Sequence, residues 1–167
     1  MQHTAYLLLG SNIGDRLNYL QQAILKISQT QGITLKQQSE IYETAAWGLE
    51  DMPAHLNMAL CVHTTLSAHE LLHEVLQIEL ELDRARQQKW GARTMDIDII
   101  FYDNDVIQTE ALVVPHPWMQ DRRFVLVPMA EIAAEYLHPV YHKTVAVLLE
   151  ATADQLPVNI YTITKVS

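Results

Sequence analysis

The chain has one cysteine, Cys61, in 167 residues. That excludes an internal disulfide framework and a zinc site built on clustered cysteines, and the apolar run around Cys61 points to plain burial. Positive charge is scarce as well: 11 Lys and Arg face 20 Asp and Glu, for a formal net charge of -9. This balance disfavours generic binding to nucleic acid or to an anionic membrane. No apolar run approaches the roughly 20 residues of a membrane-spanning helix. Met1-Gln2-His3-Thr4 lacks the basic region that opens a secretory signal. Repeats, low-complexity tracts and an obvious linker are also missing. The expectation is a single cytoplasmic domain over residues 1–167, working as a monomer, with 49% hydrophobic residues to fill one core.

Against that acidic background the cations are unevenly placed. The ten residues from Arg84 to Arg93 hold four of the 11 basic side chains, Arg84, Arg86, Lys89 and Arg93. Directly after them Met95, Ile97, Ile99 and Phe101 alternate with Thr94, Asp96, Asp98 and Ile100, a period of two that predicts a strand. Side chains at i and i+2 of a strand share a face about 6.5 to 7 Å apart. Asp96 and Asp98 can therefore reach two divalent ions separated by roughly 3.5 to 4 Å. An isolated Asp-x-Asp is more often two solvated aspartates on a half-exposed strand; the arginines upstream reverse that reading. Cations that hold a polyanion, beside carboxylates that hold its metal, outline a nucleotide site.

Elsewhere the elements alternate. Ala5 to Leu9 reads as a buried strand, and Gly10-Ser11-Asn12-Ile13-Gly14 as a turn. A helix from about Asp15 follows from the spacing of Leu17, Leu20, Ile24 and Ile27, with Gly32 as its left-handed stop. Strands are expected over Thr34 to Tyr42 and Leu56 to Thr64, joined by a loop ending at Pro53. Ser67-Ala68-His69-Glu70 is a capping box opening a second helix. Asp103-Asn104-Asp105 predicts a hairpin into Val106-Ile107. Short helices are expected over Leu126 to Ala134 and Thr144 to Leu149, and a last strand over Val158 to Thr164. This mixed order is that of an α+β fold.

Three motifs together, Leu9-Gly-Ser-Asn-Ile-Gly-Asp15, Trp90-Gly-Ala-Arg-Thr-Met-Asp-Ile-Asp98 and Val114-Pro-His-Pro-Trp-Met-Gln-Asp-Arg-Arg-Phe124, resemble the 6-hydroxymethyl-7,8-dihydropterin pyrophosphokinases. The likeness runs from Tyr6 to about Pro139. It implies a ferredoxin-like α+β sheet, mixed or antiparallel, flanked by helices. It also implies two magnesium ions, ATP as co-substrate and a reduced pterin alcohol that receives its terminal diphosphate, leaving AMP. By position, Asp96 and Asp98 match the magnesium ligands, and Arg84 and Arg93 match arginines that engage the triphosphate and assist transfer. A guanidinium suits that task because its planar fork keeps its charge and fits phosphate oxygens. Glu79, Arg86, Lys89, Trp90, Ile99, His116 and Arg122 fall at nucleotide positions. Thr44, Trp47, His55, Asn57 and Phe124 fall at pterin positions, where a flat heterocycle needs stacking faces and an amide partner.

The chain departs from the family pattern in three places. Ala45-Ala46 stands where a proline-containing pair is common, His55 where Tyr or Phe is usual, and the basic segment before Trp90 is compact. Gly10 to Gly14 lacks the Lys-Ser or Lys-Thr of a phosphate loop. Two other readings stay open on residues alone: a metal-dependent nucleotidyltransferase, and a non-catalytic ferredoxin-like ligand-binding module. Arg84 to Trp90, polar and self-repelling, is expected to act as a lid ordered by ATP, magnesium and pterin together.

Overall fold

A nine-residue strand with Leu7, Leu8 and Leu9 all buried opens the structure. The computed structural model describes residues 1–12, 14–44, 54–84 and 95–162; of Arg84 only the backbone is described. Strand β1 (His3–Ser11) is central, with β4 (His55–Thr64) on one side and β5 (Asp96–Tyr102) on the other, both antiparallel. Beyond β4 lie β2 (Ile33–Gln38) and β3 (Tyr42–Thr44), which pair with successive halves of it. Helix α1 (Arg16–Gln29) connects β1 to β2, and α2 (Ala68–Arg84) connects β4 to β5. This is the ferredoxin-like order, and every pairing in it is antiparallel.

Local chemistry accounts for the boundaries. Asp15 caps α1 by accepting from Asn18 N at 3.1 Å, and Gly32, at φ 89°, occupies the turn into β2 that a side chain would strain. At α2 the capping box is complete: Glu70 N donates to Ser67 Oγ at 3.1 Å and Ser67 N to the Glu70 carboxylate at 2.8 Å. That reciprocal pair is worth about 1 kcal/mol. The expected single strand from Thr34 to Tyr42 is broken in two by Ser39. Its Oγ accepts from Ala59 N at 2.9 Å, and its own N donates to Ala59 O at 2.9 Å. A side chain thus replaces a backbone carbonyl in the ladder. Glu131 secures the break by accepting from Glu40 N and from the Tyr42 hydroxyl.

Helices cover both sheet faces. Leu20, Ile27, Leu71, Val75 and Leu82 of α1 and α2 pack on Leu7, Leu9, Leu60 and Ile97. On the opposite face α3 (Arg123–Ala133) and α4 (Val145–Ala151) bring Val125, Leu126, Met129 and Leu148 onto Leu8, Ala59, Ile100 and Phe101. Truncating a fully buried leucine such as Leu7 or Leu60 to Ala would cost about 2 to 5 kcal/mol. A register shift opposite Tyr6 and Leu7 leaves Ile100 bulged, so Ile100 and Phe101 both enter the second core. Phe101 therefore departs from the face of Ile97 and Ile99 on which strict alternation placed it.

The expected hairpin after Asp103 is not formed. Asp105 N does close a turn onto Tyr102 O at 3.0 Å, with Asp103 at φ 47°. The Asp103 carboxylate, however, is held by His3 and by Thr4 N, and its carbonyl by the Tyr136 hydroxyl. The chain is directed away from β5, and β6 (Ile107–Gln108) pairs instead with β7 (Val113–Val114). Helix α3 starts earlier than Leu126 and takes in Pro128, because Asp154 accepts from Arg123 N at 2.8 Å and caps it from 31 residues away. The last strand, β8 (Val158–Ile160), adds to the outer edge of β3; positions 163 and 164 lie outside the described residues. No helix among the described residues is long and apolar enough to cross a membrane.

Candidate active site

Cross-strand register gathers one row of side chains at the end of the sheet that α3 leaves open. Tyr42 pairs with Asn57, Asn57 with Gly10 and Gly10 with Asp96. Directly paired residues point to the same face, which here is that of Leu8 and Ala59 under α3. Asp98 pairs with Leu8 on this face, and the last β3–β4 pair joins Thr44 to His55. Two strand spacings, roughly 10 Å, thus separate the Asn57 amide from the aspartate pair. Gly10 is required between them, since a Cβ there would stand 2.7 Å from Asn57 Nδ2.

Beside this row lies a cavity of about 590 Å³, within the usual range for a small-molecule site. Thr44, His55 and Asn57 line it from the sheet, and Asp121, Arg122 and Phe124 from the approach to α3. The third wall, Ala153, Asp154 and Leu156, carried no motif in the sequence. Arg123 pins this wall in place: its Nε donates to Leu156 O at 3.1 Å, and Asp154 also accepts from Leu156 N at 3.0 Å. A lone aspartate after a predicted helix was the only available signal.

Two buried polar atoms face this space with no hydrogen-bond partner among the described residues, Thr44 Oγ1 and Asn57 Oδ1. Both residues are only 4% exposed. Asn57 Nδ2 has one long contact, to Leu9 O at 3.5 Å. Unmet buried donors and acceptors are costly unless a ligand completes them, and this wall presents an acceptor and a hydroxyl to the cavity.

The end of the row at Asp96 and Asp98 is electrostatically structured. Asp96 is exposed and Asp98 half-buried on the open face, where their oxygens are chemically suited to a hard divalent cation. Among the described residues no cluster of three or more metal-ligating side chains is present. His116 reaches this end because its N donates to Ile100 O at 3.1 Å, off the edge of β5. Trp118 N donates to its Nδ1 at 3.4 Å, leaving the ring proton on Nε2. Burial pushes the His116 pKa below the ordinary value, Asp98 opposing and Arg122 reinforcing the shift. His55 is lowered the same way, by burial first, with Asp96 raising and Arg16 lowering it. Both rings are neutral at pH 7.

Two expected nucleotide residues sit elsewhere. Ile99 is 4% exposed in the core beneath α2, on the face opposite Asp98, so only its backbone is available to a base. Glu79, 6% exposed on α2, accepts from Ile97 N at 2.6 Å, the peptide nitrogen between the two aspartates. It braces β5 from behind. Trp47, Arg86, Lys89, Trp90 and Arg93 lie outside the described residues, as does the Arg84 side chain, and with them the expected lid.

The family model for 7,8-dihydro-6-hydroxymethylpterin-pyrophosphokinase matches residues 6–134. The chain belongs to this family. It is 48% identical over 135 residues to the 2-amino-4-hydroxy-6-hydroxymethyldihydropteridine pyrophosphokinase of Bacillus subtilis, covering 81% of each chain. It is 41% identical to the Aquifex aeolicus protein of the same name, over 84% of this chain and 86% of that one. A Plasmodium falciparum HPPK-DHPS crystal structure superposes with a TM-score of 0.73 at 14% identity, covering 90% of this chain. The chain spans 45% of that longer protein, and the likeness shows the fold. The pyrophosphokinase match ends at residue 134, so the Ala153 to Leu156 wall is built by sequence beyond it.

Proposed function

We propose that the chain transfers the terminal diphosphate of ATP to the hydroxymethyl oxygen of 6-hydroxymethyl-7,8-dihydropterin, releasing AMP, as a step of folate biosynthesis. The observation that carries this reading is the shared row. A pocket with an unpartnered Asn57 Oδ1 and Thr44 Oγ1 opens roughly 10 Å from a carboxylate pair, on one continuous sheet face. That separation suits a pterin whose alcohol points toward the phosphates.

In this reading Asn57 and Thr44 bind the amide-like edge of the pterin, and Phe124 and neutral His55 supply its stacking faces, with Trp47 completing the wall through its backbone. Asp96 and Asp98 would hold two magnesium ions, which would supply charge neutralisation across the triphosphate. Arg122 and the Nε2–H of His116 hold phosphate oxygens. Arg84 and Arg93 stabilise charge on the moving diphosphate, while Arg86, Lys89 and Trp90 help enclose it. The alcohol oxygen forms a bond to the β-phosphorus, the bond from that phosphorus to the α,β-bridging oxygen breaks, and the hydroxyl proton is lost to solvent.

Purified protein incubated with ATP, magnesium and the pterin alcohol is expected to give AMP and pterin diphosphate in equal amounts. ADP as the stoichiometric product refutes diphosphate transfer. A nucleotide attached to an acceptor points to nucleotidyl transfer, and tight pterin binding with no product points to a binding module.

A further inference from the structure

The turn at Gly14 and Asp15 does more than redirect the chain, because it delivers Arg16. Gly14, at φ 67°, lets Arg16 N donate to Gly14 O at 3.0 Å, so that Arg16 becomes the first residue of α1. From there one nitrogen, Nη1, donates both to Glu43 Oε2 at 2.8 Å and to Ala54 O at 2.6 Å. The guanidinium also lies 5.7 Å from the centre of the Tyr161 ring. Glu43 immediately precedes Thr44, and Ala54 immediately precedes His55. Arg16 therefore bridges the two backbone positions flanking the last rung of the β3–β4 ladder, the Thr44–His55 pair.

β3 has only three residues, so its register against β4 rests on a ladder of three residue pairs. A side chain that binds both strands at the rung, through a charged partner and a carbonyl, holds Thr44 and His55 in register before any ligand arrives. Tyr161 extends the tie to the segment after β8, the strand on the other edge of β3.

We propose that Arg16 is a positioning residue for the pterin half of the site, setting pterin affinity through Thr44 and His55 without touching either substrate; this rests on the pterin-site reading above. Nucleotide binding, organised from β5 and from His116 and Arg122 ahead of α3, is independent of it.

The test is steady-state kinetics of Arg16→Ala, Arg16→Lys and Glu43→Gln, with pterin and ATP varied separately. Arg16→Ala is expected to raise the pterin KM roughly tenfold, the equivalent of about 1.4 kcal/mol, with the ATP KM and kcat within about twofold of wild type. Arg16→Lys should recover part of the loss, since an ammonium can still reach both acceptors. Glu43→Gln should raise the pterin KM less than Arg16→Ala, because the Ala54 bond remains. An unchanged pterin KM in Arg16→Ala overturns the proposal, as does a parallel loss of kcat and both KM values. Should Arg16→Ala fail to fold, an unchanged pterin KM in both other variants is the refuting result. Failure of the wild-type protein to form AMP from ATP and the pterin alcohol would sink the underlying reading itself, a result distinct from these.

Discussion

Gly10 and Asn57 form a steric and chemical unit whose separation can be measured. Replacing Gly10 by Ala adds a methyl group 2.7 Å from Asn57 Nδ2, well inside contact distance. The backbone itself tolerates alanine, because Gly10 lies in a regular strand between paired neighbours. The amide must move, and Leu56 O, 3.9 Å from the new carbon, limits where it can go. If two pterin hydrogen bonds depend on that amide, each worth about 0.5 to 1.5 kcal/mol net, affinity should fall by roughly 5- to 150-fold. Asn57→Ala should lose a similar amount. The double variant should lose little more than Asn57→Ala alone, because the methyl group then has nothing to displace. Calorimetric titration with the pterin in the presence of a non-hydrolysable ATP analogue measures all four proteins. Full additivity, or unchanged affinity in Gly10→Ala, would falsify the assignment of Asn57 to the pterin edge.

Asp96→Asn and Asp98→Asn are each expected to lower turnover by about 10³-fold, the scale of several kcal/mol of lost charge stabilisation, with an unchanged circular dichroism spectrum; near-normal turnover at ordinary magnesium removes them from the metal site. Arg84→Ala and Arg93→Ala should reduce the single-turnover rate by about 10³-fold with a smaller effect on ATP affinity, and an unchanged rate contradicts their role. His138, 2% exposed, accepts from Val140 N and Tyr141 N through Nδ1, and burial, then His142, lowers its pKa. The unfolded chain therefore binds a proton first, so this contribution to stability is complete above about pH 6.5 and declines as pH falls toward the folded-state value. His138→Asn, which keeps an acceptor, should flatten the fall in thermal midpoint between pH 7 and pH 5, and an identical slope in both proteins rules this out.

Features written in neighbouring residues were legible before the fold was known. The capping box at Ser67, the turn glycines Gly14 and Gly32 and the alternation through Asp96 and Asp98 all act within a few positions of themselves, and each stands where the sequence predicts, whereas Gly10, expected in the turn, extends β1. The features that escaped depend on distant partners. Ser39 breaks a strand because Ala59 receives its side chain, and Ile100 bulges because β1 shifts register beside it. The turn at Asp103 loses its hairpin to His3, Thr4 and Tyr136. Similarly, the pocket residues Thr44, His55, Asn57 and Phe124 could be named one by one, but the wall at Ala153 to Leu156 could not. It exists only through Arg123 and the cap on α3.

The bond from Ile97 N to Glu79 has a consequence outside the reaction. Among the described residues β5 is the last strand on its side of the sheet, and its outward N–H and C=O groups are a template on which a second molecule could add a strand. Glu79 occupies one of these groups and the His116 backbone another. The same two contacts that brace the strand of the aspartates thus leave fewer groups on that edge for a second molecule to pair with. Loss of the Glu79 carboxylate would show first as poor solubility at high concentration, before any change in nucleotide affinity.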